Sequence, residues 1–186
     1  MTVEKTDFEG LLVIKPAVFK DGRGYFYESF NFNKFIAEGL SLNFVQDNVS
    51  RSAKGTIRGL HYQVGDYAQG KLCSVLLGKV FDVAVDIRFG SPTFGKYFRI
   101  ELSDENNFQI WIPPGFAHGF SVLSSEAIFH YKCTASYNKE SERGILFNDS
   151  EIAVDWGIEN PIVSPKDLCG KSIKEIGKDF IYDKIL

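Results

Sequence analysis

The chain's 186 residues suffice for one well-filled domain and are short for two. With 44% hydrophobic and 24% charged residues its composition is that of an ordinary globular protein, and its 15% aromatic share favours strands and pockets for flat ligands. A net charge of −3 without blocks of like charge argues against a nucleic-acid surface, which needs a concentrated cationic footprint.

The opening "MTVEKTDFEGLLVIKP" carries acids and lacks the long apolar run of a signal peptide or membrane span. In "FKDGRGYFYES" (19–29), Arg23 stands in a glycine hairpin, and its guanidinium matches phosphate oxygens bidentately. The spacing predicts a helix over 31–39, with Asn31 or Asn33 as cap and Gly39 as stop. "IRGLHYQ" (57–63) reads as a strand in which alternation groups His61 with Ile57 and Gln63, and Arg58 with Leu60 and Tyr62. Gly59 is the place for a bulge that would bring both polar groups to one cavity. On residue type alone a lone strand histidine is more often structural than catalytic, and Lys71 of "GKL" is more often solvated than buried.

In "KVFDVAVDIR" (79–88), Phe81, Val83, Val85 and Ile87 share a core face. Asp82, Ala84, Asp86 and Arg88 share the other, directed to solvent or to a polar cavity. The "PPG" before His118 forces a turn, and a buried histidine held by one hydrogen bond reads as well there as a ligand contact. In "AIFHYKCTASY" (127–137), Tyr131 and Tyr137 fall on an apolar, aromatic face and His130 is directed to water. The mixed signal over 171–184 suggests a second helix. Short runs between frequent turn signals make the chain an all-β sandwich or barrel, a single domain over 1–186.

A metal centre is not expected. The Pro113-x-Gly115-x-x-His118 spacing is like half of a cupin metal motif, but Gln63 stands where a second histidine would be needed, and the chain has only three histidines. The three cysteines lack CxxC spacing, which fits buried thiols in a reducing, cytoplasmic compartment.

Seven stretches in order, "FKDGRGYFYESFN", "FVQDNVSRSAKGTIRGLHYQ", "AQGKL", "GKVFDVAVDIRFGSPTFGKY", "IWIPPGFAHGF", "YKCTASY" and "SPKD", resemble the dTDP-4-dehydrorhamnose 3,5-epimerases, sugar-nucleotide epimerases of the cupin superfamily. The resemblance runs from about residue 5 to 170. It implies a double-stranded β-helix (jelly roll) with a few short peripheral helices, a homodimer, a dTDP-sugar substrate, no metal and no cofactor. It implies His61 as general base, Asp167 as its partner, Tyr131 as proton donor from the opposite side, Lys71 near the keto oxygen and Asp82 in the same network. Substrate contacts would come from Arg23, Phe26, Glu28, Gln46, Asp47, Asn48, Arg58, His118, Glu142 and Lys166, with Tyr137 stacked on the base.

Two departures, Phe147 where many relatives carry Trp and Arg143 beside Glu142, fall near the expected nucleotide end and leave base and sugar identity open. The alternatives are an epimerase acting at C3 or C5 alone, a metal-dependent cupin and a non-catalytic sugar-binding jelly roll.

Overall fold

The β-branched and aromatic runs form strands because their side chains pack well on a pleated, half-buried surface. In the computed structural model, which describes residues 1–183, these are β1 (Thr2–Lys5), β2 (Leu12–Lys15), β3 (Phe19–Asp21), β4 (Gly24–Phe26), β5 (Gln46–Ala53), β6 (Thr56–Gln63), β7 (Lys71–Leu77), β8 (Lys79–Asp86), β9 (Tyr97–Ser103), β10 (Gln109–Ile112), β11 (Phe116–Val122), β12 (Glu126–Cys133), β13 (Glu142–Gly144) and β14 (Ile162–Val163). The last three residues of the expected 1–186 domain lie outside the described ones. One sheet has the order β1-β2-β10-β7-β12-β5 and the other β13-β6-β11-β8-β9, with β14 added parallel to β6. The two sheets face one another as a cupin jelly roll. Strands β3 and β4 form a separate hairpin.

Both sheets contribute to the core between them. Cys73, Val75, Ile110, Ala127 and Phe129 of the first meet Val80, Ala84, Leu102, Phe116 and Phe120 of the second. Phe120 and Phe129 stack across the gap, with ring centroids 4.2 Å apart and planes 12° apart. Each such fully buried side chain contributes roughly 1.5–3 kcal/mol. Ile57, Leu60, Val83, Val85 and Ile87 project from the outer face of the second sheet, where Ile145, Ile152, Trp156 and Ile173 cover them.

The parity expectation for β8 holds for its core row, where Val83, Val85 and Ile87 are buried, and is corrected for the other row: Asp82 and Ala84 are also buried and face the inter-sheet space, not solvent. Asp86 binds Arg88, Ser91 and Thr93, so it holds the following turn and lines no cavity.

The helix α1 (Phe32–Ala37) forms as expected. The Asn31 side chain accepts from the Lys34 N–H at its start, and Gly39 lies beyond its end with φ +81°. No helix forms over 171–183; residue 184 lies outside the described residues. The segment runs as turns that lay Ile173, Ile176 and Phe180 against the second sheet, so packing overrides the weak helical signal. His130 is also corrected. It is half-buried, 3.3 Å from the Ser74 hydroxyl, rather than solvated.

Candidate active site

Gly59 sets the geometry of the site. Across the β6–β11 ladder His61 opposes His118 while Arg58 opposes Phe120, so β6 carries one extra residue there. The bulge shifts the phase of alternation. Ile57, Leu60 and Tyr62 face the outer core, while Arg58, His61 and Gln63 line one cavity between the sheets. A side chain at 59 has no room. Its Cβ would stand 2.5 Å from Gly119 Cα and 2.8 Å from the His118 carbonyl oxygen, at a φ of +129°.

The cavity holds about 390 Å³, room for a sugar-sized ligand. On the β6 wall, His61 Nε2 lies 2.6 Å from Asp167 Oδ1. The parallel pairing of β14 with β6 brings in the turn that carries Asp167, and Ser164 braces that turn by accepting the Asp167 N–H. Burial would raise the Asp167 carboxyl. Hydrogen bonding to His61 and Ser164 and the nearby cationic groups outweigh this and hold it below the usual aspartate range.

Tyr131 stands in the opposite sheet, on β12, and lines the same cavity. Burial, with neighbouring thiols adding to it, pushes its phenol up to about 12, so it stays protonated at neutral pH. Lys71, at the start of the adjacent β7, is only 8% exposed, contrary to the ordinary expectation for lysine. Burial lowers its pKa, and the carboxylates of Asp82 and Glu142 oppose that loss.

The floor holds a second pair. His118 Nε2 lies 2.9 Å from Asp82 Oδ2, and Cys73 Sγ lies 3.8 Å from the same nitrogen. Cys73, Asp82 and His118 offer ligand atoms within 4.8 Å of one another, and Asp82 Oδ1 has no hydrogen-bond partner among the described residues. The Lys71 ammonium works against a further cation there, so the set suits holding Lys71 charged better than holding a metal.

At the mouth, the Tyr137 hydroxyl donates to Glu142 Oε2 at 3.0 Å, and Lys166 Nζ donates to Glu142 Oε1 at 2.6 Å. Burial would raise the Glu142 carboxyl, but these two partners keep it below the usual range. Asn48 lines the wall from β5, and Arg58 Nε donates to Ser52 Oγ at 3.0 Å.

Several expected contacts lie elsewhere. Asp47 alternates to the outer face of β5, where it pairs with Lys132 at 2.8 Å, and does not line this cavity. Gln46 does not line the cavity. Its Oε1 accepts from the Tyr137 N–H at 2.8 Å and its Nε2 donates to Asn48. Arg23 and Phe26 sit on the exposed β3–β4 hairpin, with Arg23 bound to Asp21. Glu28 binds Asn31 and Lys34 at the start of α1. None of the three lines the cavity of its own chain.

The two sequence departures also fall outside it. Phe147 packs behind the second sheet, and Arg143 caps the carbonyls of Glu140 and Glu142. Gln63, Gln69, Ser50 and Ser164 line the cavity and were not singled out from the sequence. Ser50 was legible by alternation from Asn48. Gln63 was legible in the same way from His61, and Gln69 carried no sequence signal.

A dyad and a protonated phenol brought from facing sheets into one cavity suit an isomerase that works at carbon acids, and that is the class to which fold and cavity assign the chain. The sequence model of the dTDP-4-dehydrorhamnose 3,5-epimerase family matches residues 5–175. The chain is 55% identical over 172 residues to the dTDP-4-dehydrorhamnose 3,5-epimerase of Shigella flexneri, covering 92% of this chain and 95% of that one. A dTDP-6-deoxy-D-glucose-3,5-epimerase from Legionella pneumophila, solved in complex with dTDP-4-keto-L-rhamnose, has a TM-score of 0.94 at 49% identity over 98% of this chain and 99% of that one. A 3'-monoepimerase from Streptomyces bikiniensis in complex with dTDP-quinovose has a TM-score of 0.85 at 30% identity, covering 91% of this chain and 86% of that one. The chain belongs to the dTDP-4-dehydrorhamnose 3,5-epimerase family.

Proposed function

We propose that this enzyme inverts C3 and C5 of dTDP-4-dehydro-6-deoxy-D-glucose to give dTDP-4-dehydro-L-rhamnose, with His61 and Tyr131 acting from opposite sides of the sugar. The observation that carries the reading is that these two side chains come from facing sheets into one cavity.

The C4 ketone acidifies the C–H bonds on both neighbouring carbons. A carboxylate accepts a hydrogen bond only from a protonated ring nitrogen. Asp167 therefore keeps the proton on His61 Nε2 and leaves Nδ1 with the lone pair a base needs. Loss of the carbon-bound proton to His61 leaves an enolate with its charge on O4. Lys71, supported by Arg58, donates to that oxygen. Tyr131 then delivers its proton to the carbon from the other face, and configuration inverts. His61 holds one extra proton and Tyr131 lacks one. Exchange with water resets both before the second inversion.

The nucleotide lies toward Tyr137, Glu142 and Lys166, with Asn48, Arg58 and His118 in the wall. Arg23, Phe26 and Glu28 reach a cavity in a second copy. Support for a homodimer is the exposed apolar surface of one chain: Phe19 and Phe26 are each 66% exposed, Val49 64% and Val45 61%. The whole chain acts as one epimerase domain in the cytoplasm, where its free thiols remain reduced. Among the described residues no helix is long and apolar enough to cross a membrane. Double rather than single inversion is favoured by 55% identity to a 3,5-epimerase against 30% to a monoepimerase.

The test is turnover of dTDP-4-dehydro-6-deoxyglucose in deuterated water, coupled to a rhamnose-forming reductase. Wild-type enzyme washes deuterium into C3 and C5 and supports reductant consumption. His61→Ala loses exchange at both carbons, and Tyr131→Phe loses inverted product more than exchange. Wash-in at a single carbon would defeat the double-epimerase reading, and normal turnover by His61→Ala would remove the base.

A further inference from the structure

The irregular segment that follows β12 is gripped by three glutamine side chains from three different parts of the chain. Gln69 Nε2 donates to the Ala135 carbonyl at 2.7 Å, and Gln63 Nε2 donates to the Ser136 carbonyl at 3.2 Å. The Tyr137 N–H donates to Gln46 Oε1 at 2.8 Å, and the Asn138 N–H donates to Gln63 Oε1 at 2.7 Å. Four consecutive residues outside any strand thus each spend a backbone group on a side-chain amide. Gln63 is 5% exposed and also donates to the Tyr67 carbonyl at 2.8 Å, so its amide is fixed on both sides.

The ring that this backbone carries is 53% exposed. Packing therefore does not place Tyr137, and its one tether is the hydroxyl bond to Glu142. We infer that Gln46, Gln63 and Gln69 are positioning residues: they hold the backbone of residues 135–138 so that the exposed Tyr137 ring is already set at the cavity mouth before a nucleotide arrives. An aromatic ring held in place loses less freedom on stacking than one on a mobile loop, and the saving appears as affinity. This inference rests on the sugar-nucleotide reading above.

Calorimetric titration of the full chain with dTDP tests it, using wild type, Gln63→Leu, Gln69→Leu, Tyr137→Ala and the double variant Gln69→Leu/Tyr137→Ala. Each glutamine variant weakens dTDP by about three- to tenfold and raises KM by more than it lowers kcat, as loss of one to three neutral hydrogen bonds permits. Gln69→Leu removes a single bond, so it keeps the test open where Gln63→Leu fails to fold. In the Tyr137→Ala background the Gln69 substitution costs no further affinity, because the ring through which it acts is gone. Equal weakening in both backgrounds would overturn the inference, as would glutamine variants that lower Tm while binding dTDP like wild type. Wild-type protein that does not bind dTDP would overturn the functional reading itself and this inference with it.

Discussion

Lys71 lies where a cation is costly and where the proposed reaction needs one. Its burial lowers the pKa from the ordinary 10.5, because desolvation favours the neutral amine. As an enolate donor it works only as the ammonium. Activity is therefore present below its lowered pKa and is lost as pH rises through it. The expected pH profile of kcat/KM has an alkaline limb below that of a free lysine. Lys71→Arg keeps a charge at all these pH values, so its weaker residual activity lacks that limb. An unchanged limb in Lys71→Arg would remove Lys71 from the role. Tyr131 is shifted in the other direction, up to about 12, by the same desolvation. One cause thus separates the two groups. It keeps the acid neutral and brings the oxyanion donor nearer to losing its charge.

Among the elements, β6 shows what alternation alone misses. A regular strand would place Arg58 and His61 on opposite faces, and the extra residue at Gly59 puts them on one. Gly59→Ala would force its Cβ against Gly119 and His118 at a φ that L-residues rarely adopt. It is expected to cost about 2–3 kcal/mol of stability, read as an earlier urea midpoint. The fraction that stays folded would have lowered kcat/KM, because the phase of His61 shifts. Full activity in a folded Gly59→Ala protein would show that the bulge does not set the site. The bulge was legible from one glycine between two polar residues, and the inward face of Tyr131 from period-two parity. Other positions were not legible. Asp47 and His130 follow the parity rule, but their surroundings come from Lys132 and Ser74 on neighbouring strands. The burial of Lys71 and the glutamine grip on residues 135–138 join elements distant in sequence, and no local pattern announces them.

At the scale of the whole molecule, the β3–β4 hairpin has no place in its own chain's cavity, yet it carries an arginine and an aromatic suited to a nucleoside diphosphate. If a second copy receives it, the two defects Arg23→Ala and His61→Ala should complement. In a mixed dimer the chain with intact His61 receives its hairpin from the chain with intact Arg23, so one of its two cavities is complete. The other cavity carries both defects. Statistical mixing makes about half of the dimers mixed, so an equal mixture should recover about a quarter of wild-type activity. Separately, Arg23→Ala should lose about tenfold or more in kcat/KM through its lost charge-assisted bonds, and His61→Ala nearly all turnover. If each hairpin served its own chain, every cavity in the mixture would lack Arg23 or His61. Activity would then stay at the average of the two variants, however long the subunits exchanged. Sedimentation of the mixture, with one variant carrying a mass tag, counts the mixed dimers independently. Abundant mixed dimers without recovered activity would therefore show that no second copy's cavity receives the hairpin.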